Sequence, residues 1–203
     1  MKWKRVRASL ESKQDPEKIE QAKKDITALK KLENDEEINL VYFDESGFDL
    51  TPSIPYAWQE SGRDNTIKLP SSKSKRINVL GFMDEKNNLV PFVFENSIDS
   101  TIAIACFDKY SEIISSTTVV LIDNAPIHTS INFLDNIEKW QAKGLYLYFI
   151  PPYSPEFNKI EILWRKMKYE WMPFSAYEGI KSLRDAVHSI LIGFGTLYKI
   201  NFA

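Results

Sequence analysis

The amino-acid sequence predicts an α/β fold with a mixed five-stranded sheet flanked by helices. Five short runs rich in Val, Ile, Leu, Tyr and Phe are typical of strands, and segments with helical spacing separate the later runs. The second and third runs are close enough to form an antiparallel hairpin, whereas strands joined through a helix are parallel. The length of 203 residues favours one such domain with a small appendage.

The first predicted element is a helix near the N-terminus. Asp15 is a suitable N-cap, Pro16 fits the first turn, and apolar residues then recur at helical spacing as far as Leu32. The first eight residues contain four cations and no acid. We therefore assign residues 1–37 to a basic segment and a linker helix, and residues 38–203 to the α/β domain. The helix either packs on this domain or follows a nucleic acid, and its spacing favours neither.

The remaining elements follow in the order expected for a mixed sheet. Residues 38–43 form a strand that ends at Asp44, and residues 77–83 and 89–94 form a hairpin around the turn 84–88. The later elements are a helix capped at Asp99 and reaching Ile114, a strand over 117–122, a helix over 131–142 ended by Gly144, a strand over 145–150, a helix capped at Asn158 and reaching Trp171, and a helix over 177–194. Strand 117–122 is too apolar to be half exposed, so we expect it inside the sheet. This succession is similar to the ribonuclease H-like fold.

Composition and charge exclude several classes of protein. No apolar run approaches the roughly 20 residues that span a bilayer, and no apolar signal core follows the first charges, so we expect a cytoplasmic protein without a membrane partner. The single cysteine, Cys106, excludes an internal disulfide and a cysteine zinc site, and its apolar neighbours predict a buried thiol. The net charge of -2 argues against a chain coated with basic residues for nucleic acid. Local basic clusters still either face phosphate or form ordinary solvated surface.

Three carboxylates are expected at one edge of the sheet. Asp44 closes the first strand, Asp123 closes the fourth, and Glu161 enters a helix just after the fifth. In a mixed sheet the first and fourth strands can be central neighbours, which would bring their ends together where open α/β sheets bind ligands. Magnesium and other hard cations select carboxylate oxygen and hold both oxygens of an in-line displacement. The three acids thus predict divalent metal and phosphoryl transfer.

Two neighbouring acids compete with this assignment. Glu45 follows Asp44, and adjacent strand residues point to opposite faces, so spacing alone does not choose between them. Glu156 competes with Glu161. We favour Glu161, which we expect to face inward in the first turn of the helix. A helix fixes the position of a metal ligand more precisely than a turn does. An acid at a strand end is also commonly only a turn former or a helix cap.

Asn124 and His128 complete this polar group. Asn124 directly follows Asp123, where it either hydrogen-bonds near a metal ligand or forms a turn. His128 follows Asp123 by five residues. It makes a local hydrogen bond or lies on the surface, or else it contacts a substrate phosphate or a metal-bound water.

Several motifs together resemble one known family. They are Tyr-Phe-Asp-Glu-Ser-Gly-Phe at 42–48, Ala-Trp at 57–58, Gly-Arg at 62–63, Asp-Asn-Ala-Pro-Ile-His at 123–128, and Pro-Tyr-Ser-Pro-Glu-Phe-Asn-Lys-Ile-Glu-Ile-Leu-Trp at 152–164. This set resembles the catalytic (DDE) domain of bacterial insertion-sequence transposases of the mariner superfamily. The last two motifs are specific, and the resemblance extends from residue 38 to the C-terminus.

The resemblance implies a DDE endonuclease and transposase domain over residues 38–203. The family's acid triad falls on Asp44, Asp123 and Glu161, which implies two bound Mg²⁺ ions, with Mn²⁺ as a substitute. The implied reaction is cleavage at element ends and joining to target DNA, usually at a TA step, within a homodimer. The implied partners are double-stranded DNA and a second copy or a full-length transposase, and the implied location is the bacterial nucleoid. The basic residues that we assign to DNA contact are Lys4, Arg5, Arg7, Arg63, Lys73, Lys75, Arg76, Arg165 and Lys168.

The chain departs from the family pattern in two places. Lys159 stands where family members commonly carry proline, which removes some local rigidity but no ligand. Such transposases also begin with paired helix-turn-helix units, for which there is no room before Asp44. We therefore expect a downstream reading frame joined to its DNA-binding half by frameshifting, or a truncated relic. Two further hypotheses are an idle fragment that acts only by protein pairing and a general ribonuclease H-like nuclease.

Overall fold

A five-stranded mixed sheet forms the centre of the molecule. The computed structural model describes residues 11–53 and 75–202. The strands are β1 (Asn39–Asp49), β2 (Arg76–Met83), β3 (Leu89–Phe94), β4 (Thr118–Ile122) and β5 (Leu145–Phe149). Their order across the sheet is β3-β2-β1-β4-β5. β2 is antiparallel to both of its neighbours, whereas β4 is parallel to β1 and β5, so the predicted mixed sheet is confirmed.

Helices cover both faces of this sheet. The α-helices are α1 (Pro16–Asn34), α2 (Ser100–Ile113), α3 (Ile131–Leu134), α4 (Ile137–Gln141), α5 (Ile160–Lys166) and α6 (Ile180–Gly193). They are accompanied by 3-10 turns at Glu11–Lys13, Pro155–Phe157 and Phe174–Glu178 and by a π-helical turn at Met167–Trp171. In the part of the chain that the structure describes, no helix is long and apolar enough to cross a membrane.

Alternating side chains of β1 divide the hydrophobic core into two layers. Leu40 and Tyr42 pack with residues of α1, α5 and α6, on the side that we call the α5 face. Val41 and Phe43 pack with residues of α2, α3 and α4, on the α2 face. The strand period of two therefore assigns each β1 residue to one face. Cys106 lies on the α2 face, where burial raises the pKa of its thiol to about 12, and the predicted buried cysteine is confirmed.

The helix near the N-terminus packs against the sheet. As the sequence predicts, Asp15 is its N-cap and accepts hydrogen bonds from two N–H groups of the first turn. Ala22 and Ile26 are buried, and the Tyr148 hydroxyl of β5 donates a hydrogen bond of 3.0 Å to Asp25. α1 thus contributes to the same core, and a domain boundary between residues 37 and 38 stays a prediction.

The first strand is longer than the sequence predicts. The prediction that the first strand ends at Asp44 is wrong, because β1 continues to Asp49. β1 pairs with β4 only as far as Tyr42, but it pairs with β2 from Tyr42 to Asp49. The backbone hydrogen bonds of β2 thus keep a polar stretch of β1 extended beyond the end of β4. Asp44 is consequently a strand residue rather than the first residue of a turn.

Three predicted helices also differ from the observed ones. The helix expected over 131–142 is interrupted, and the Asn136 amide donates a hydrogen bond to the Asn132 carbonyl at the break. Asp and Asn are weak helix formers because their side chains compete for backbone groups. The helix expected from Asn158 begins at Ile160, and Asn158 is not its cap. Gly179 separates the last predicted helix into a 3-10 turn and α6.

Candidate active site

Asp44 and Asp123 lie next to each other at the carboxyl end of β4. β1 and β4 are parallel central neighbours, with Tyr42 opposite Leu121. Asp44 and Asp123 each lie two residues further along the chain from this pair. Parallel pairing therefore brings these two carboxylates to one edge of the sheet, where such folds bind their ligands.

The pleat of β1 separates Asp44 from its rival Glu45. Asp44 lies on the α5 face with Tyr42, and the residue paired with it on β2 is Gly81. A Cβ atom on Gly81 would lie 3.0 Å from Ile160 Cδ1, so α5 packs closely on the sheet at this point. Glu45 lies on the α2 face instead. The fold therefore brings α5 close to Asp44, on the opposite side of the sheet from Glu45.

α5 places Glu161 at the rim of the α5 face. Ile160 and Trp164 are buried, whereas Glu161 is exposed. The expectation that Glu161 faces inward beside these two residues is therefore wrong, because the buried stripe of α5 leaves it at the edge of the helix. Its charge still acts on the site. After burial itself, Glu161 contributes most to the raised pKa of Asp44.

Glu156, the other acid of this region, has a different partner. It lies in the 3-10 turn Pro155–Phe157 and accepts a hydrogen bond of 2.9 Å from Gln14. Gln14 also donates to the carbonyl of Tyr153 in the same segment. Glu156 thus connects the residues before α1 to the segment that follows β5.

The surroundings of Asp44 disfavour the charged form of its carboxyl group. Burial raises the pKa of Asp44 well above its ordinary value, and the negative charges of Glu161, Glu45 and Asp123 raise it further. A hydrogen bond from the backbone N–H of Glu45 opposes these effects without cancelling them. A nearby cation would favour the ionised carboxylate and so remove this penalty.

Asp123 is in the opposite electrostatic situation. Its Oδ1 atom lies 2.7 Å from His128 Nδ1 and accepts a hydrogen bond of 3.1 Å from the N–H of Ala125. Burial alone would raise the pKa of Asp123, but these hydrogen bonds and the charge of His128 lower it. Both contacts use Oδ1, and the side chain is 44% exposed. Asp123 is therefore an ionised carboxylate that is held at one oxygen and still reaches the surface.

His128 is enclosed between two acids. Its ring is 1% exposed, and Nε2 lies 3.3 Å from Glu45 Oε2, an ion-pair distance without hydrogen-bond alignment. The ring packs edge-on against Phe43 at 5.4 Å between centroids. Burial opposes the charged ring, but Asp123 and Glu45 outweigh it and raise the pKa of His128 to about 9. Of the roles that the sequence left open for His128, the buried ring fits a local hydrogen bond. It does not fit contact with a substrate phosphate.

Two asparagines connect the segments around the acids. Asn124 donates a hydrogen bond to the carbonyl of Ile150, so it joins the ends of β4 and β5. Asn158 is 3% exposed and donates a hydrogen bond of 2.9 Å to the carbonyl of Phe43. Because Phe43 immediately precedes Asp44, Asn158 attaches the residues before α5 to β1 beside the acid. The sequence indicated Asn158 only as a cap, and local spacing contains no signal for this long-range contact.

Lys168 lies near the acids of the α5 face. Lys168 is partly buried, and its Nζ atom lies 5.4 Å from the centre of the Phe48 ring. Burial and the charge of Arg76 lower the pKa of Lys168, whereas Asp44 and Glu161 raise it. Lys168 is therefore close enough to the carboxylates to act on a phosphate bound there, and Arg76 lies near Lys168.

The other residues assigned to DNA contact have varied positions. Arg165 is exposed one helical turn after Glu161, so both project from the same side of α5. Lys75 is exposed beside Arg76, whose guanidinium lies over Gly47 where a side chain would otherwise stand. The assigned residues that lie outside the described part of the chain are Lys4, Arg5, Arg7, Arg63 and Lys73.

The donor set suits a divalent cation in its chemistry. Three carboxylates offer hard oxygen ligands, and the raised pKa of Asp44 reflects negative charge that a cation would balance. Within residues 11–53 and 75–202, no three Asp, Glu, His or Cys side chains are gathered at distances that would hold a metal ion.

Known proteins with similar sequences or folds point to one family. The family model described as DDE superfamily endonuclease matches residues 39–184. Among solved structures, the chain is similar to Mos1 transposase in a paired-end complex with the left transposon end, with a TM-score of 0.65 and 13% identity over 95% of this chain and 59% of that chain. It is similar to the Mos1 mariner paired-end complex with Mn, with a TM-score of 0.61 and 14% identity over 95% of this chain and 60% of that chain. A comparison with curated proteins found no match.

The catalytic domain of Mos1 mariner transposase is also similar, with a TM-score of 0.55 and 12% identity over 94% of this chain and 85% of that chain. The chain spans about three fifths of the length of the first two Mos1 chains. At these identities the likeness concerns the fold, and it confirms the ribonuclease H-like architecture. The family match covers β1 to β5, α5 and the start of α6. The chain therefore belongs to the DDE superfamily endonucleases.

Proposed function

We propose that the chain carries the catalytic domain of a DNA transposase, which cleaves the ends of a mobile element and joins them to target DNA. The observation that supports this most is the approach of Asp44, Asp123 and Glu161 from β1, β4 and α5 to one edge of the sheet. The family is one of endonucleases. Mos1 structures with the same fold include a complex with a transposon end and a complex with Mn.

Each acid has a defined part in this proposal. Asp44 and Asp123 would share one Mg²⁺ ion, and Glu161 would complete a second site. When bound, the two ions supply the charge that activates a water or a 3′ hydroxyl and that stabilises the leaving oxygen. His128 holds Asp123 at Oδ1 and favours its ionised form, which supports a ligand oriented before an ion arrives.

Double-stranded DNA is the proposed substrate. Lys168 carries positive charge close to Asp44 and Glu161, and Arg165 projects from the same side of α5 as Glu161, which supports contact with the phosphates on either side of the cleaved bond. Arg76 lies near Lys168 and extends this positive charge. A homodimer, or pairing with a full-length transposase, would bring two element ends together. A bacterial cytoplasm with its nucleoid is the corresponding place of action.

Substitution of Asp123 tests the proposal. Asp123→Ala should reduce Mn²⁺-dependent nicking of supercoiled plasmid at least about a hundredfold, because a metal ligand that also orients its neighbours is lost. Asp135→Ala is the matched control, since Asp135 is an exposed aspartate at the end of α3. Circular dichroism spectra of both variants check the fold.

The other outcomes separate the competing hypotheses. Nicking that persists in Asp123→Ala would contradict the metal assignment. Cleavage of hybrid or branched substrates without any strand joining would support a general ribonuclease H-like nuclease. A folded wild-type chain that neither cleaves DNA nor binds Mn²⁺ would support an idle fragment that acts by pairing.

A further inference from the structure

One acidic residue in the turn between β2 and β3 joins three other segments of the chain. Glu85 Oε1 accepts a hydrogen bond of 2.6 Å from the Tyr42 hydroxyl and lies 2.9 Å from Lys30 Nζ. Glu85 Oε2 lies 3.1 Å from Lys159 Nζ. The side chains of Lys159 and Glu85 are 20% and 23% exposed, so water screens this pair less than an exposed ion pair.

Two of these contacts lie close to the carboxylates of the candidate site. Tyr42 precedes Asp44 by two residues on β1, and both lie on the α5 face. Lys159 precedes Glu161 by two residues, directly before α5. Through one side chain, Glu85 therefore connects the strand that carries one acid to the helix that carries the other.

The turn that carries Glu85 is itself held in place. Asp84 Oδ1 accepts hydrogen bonds from the N–H groups of Lys86 and Asn88. The Asn87 side chain exchanges two hydrogen bonds with the backbone of Ile200, at 2.7 Å and 3.1 Å. Glu85 is therefore a fixed attachment point rather than a mobile surface charge.

Lys159 depends on Glu85 because of its place in the chain. A cation at the start of a helix opposes the helix dipole, which favours negative charge there. The Lys159 side chain makes no capping hydrogen bond and instead reaches Glu85, with its Nζ atom 5.5 Å from the centre of the Phe202 ring. Burial would raise the pKa of Glu85, but hydrogen bonds from Tyr42, Lys30 and Lys159 lower it, so Glu85 is charged at neutral pH.

We propose that Glu85 is a positioning residue for the candidate active site. By holding Tyr42 and Lys159, it sets the position of the first turn of α5 relative to β1, and hence that of Glu161 relative to Asp44. The consequence for catalysis rests on the proposed function, whereas the consequence for the backbone does not. Removing the Glu85 charge should loosen the start of α5 and weaken metal binding.

The backbone at Lys159 offers a way to restore rigidity without Glu85. Lys159 has φ -67°, the value that proline fixes. Asn158 has φ -100° and ψ 92°, an extended conformation outside the helical region that is disfavoured before proline. In the described part of the chain, the Lys159 N–H makes no backbone hydrogen bond that proline would remove. Lys159→Pro should therefore fix the start of α5 and also remove the cation that needs Glu85.

The experiment compares Glu85→Gln, Lys159→Pro and the double variant with the wild-type chain. Amide hydrogen exchange of residues 160–163 should become about tenfold faster in Glu85→Gln, and the Mn²⁺ affinity measured by electron paramagnetic resonance should fall about tenfold. The double variant should recover both quantities to within about twofold of wild type. The matched control is Glu170→Gln, which removes an ion pair of 2.7 Å between Lys166 and Glu170 beyond the other end of α5, and it should leave exchange at 160–163 unchanged.

Two results would overturn the inference. One is exchange at 160–163 that is unchanged in Glu85→Gln or equally faster in Glu170→Gln. The other is a double variant that keeps the faster exchange and the weaker Mn²⁺ affinity of Glu85→Gln, which would show that Glu85 acts only on general stability. The exchange measurement needs neither metal nor DNA. It therefore decides the inference even if the wild-type chain binds no Mn²⁺, a result that would count against the proposed function instead.

Discussion

Asp44 and Asp123 are neighbours in space, but the fold treats their charges in opposite ways. Asp123 is hydrogen-bonded by His128, and its pKa is lowered despite burial. Asp44 is buried near other acids, and both its burial and their negative charges raise its pKa. The difference arises because His128 packs on the α2 face against Phe43, whereas Asp44 projects from the α5 face, towards the helix that carries Glu161.

The contrast separates a preformed part of the site from a part that depends on a cation. The group of Asp123, His128 and Glu45 contains its own counter-charge, so it keeps its arrangement in the metal-free chain. Asp44 and Glu161 repel each other, so their approach reduces stability until a cation balances them. Functional sites commonly hold such unfavourable charges at a cost to stability.

The largest effect is expected from Asp44→Asn, which tests this contrast between the two aspartates. Metal-dependent nicking should fall about a thousandfold or more, since charge stabilisation by bound metal contributes several kcal/mol. Without metal, the same variant should be more stable than wild type, because an amide does not repel Glu161, Glu45 and Asp123. The raised pKa of Asp44 means that its ionisation destabilises the fold as pH rises above the ordinary value of 3.8, so this gain should grow from acid to neutral pH. Plasmid nicking and thermal unfolding in EDTA measure the two effects.

Asp123→Asn is the matched comparison for this prediction. It should also abolish nicking, but it should lower the melting temperature, because His128 loses a hydrogen bond to a charged acceptor. If both variants shift the melting temperature in the same direction, the electrostatic contrast between the two aspartates is wrong.

A smaller effect is expected from His128→Gln, and it should depend on pH. The pKa of His128 is raised from 6.5 to about 9 in the fold. Its protonated ring therefore stabilises the fold fully below pH 6.5, and this contribution is lost as pH rises through about 9. Urea unfolding should show a deficit of roughly 3 kcal/mol for the variant at pH 6, which shrinks by pH 9.5. A deficit that is constant over this range would argue that His128 is neutral and only fills space.

The smallest effect is expected from Lys168→Met, which removes a cation from the Asp44 side. DNA affinity should fall a few-fold, and the slope of log affinity against log salt should become shallower by about one unit. Mn²⁺ affinity should rise slightly, because Lys168 no longer competes for Asp44 and Glu161. Fluorescence anisotropy with labelled duplex DNA measures the first effect. Lys181→Met, which removes an exposed lysine of α6 paired with Asp185, should change neither quantity, and an equal loss of DNA affinity in that variant would contradict a specific role.

The positions of the strands were predictable because their signals are local. Runs of β-branched and aromatic residues mark β2 to β5 within a residue or two, and the hairpin follows from the short turn at 84–88. The end of β1 was not predictable in the same way. Apart from Phe48, residues 44–49 are polar or glycine, and they are extended because β2 pairs with them. The start of α5 was misplaced for a related reason, since the Asn158 side chain bonds to β1 rather than to the helix.

The sequence by itself determined the type of sheet, the three candidate carboxylates and the motifs of the family, because each depends on residues close together in the chain. Only the tertiary structure decided that Asp44 rather than Glu45 lies on the face of α5, that His128 is buried between Asp123 and Glu45, and that Glu85 contacts Lys159. The last two residues are 74 positions apart. Periodicities of two and 3.6 residues specify which side of an element is buried, but they carry no information about which distant side chain completes a contact there.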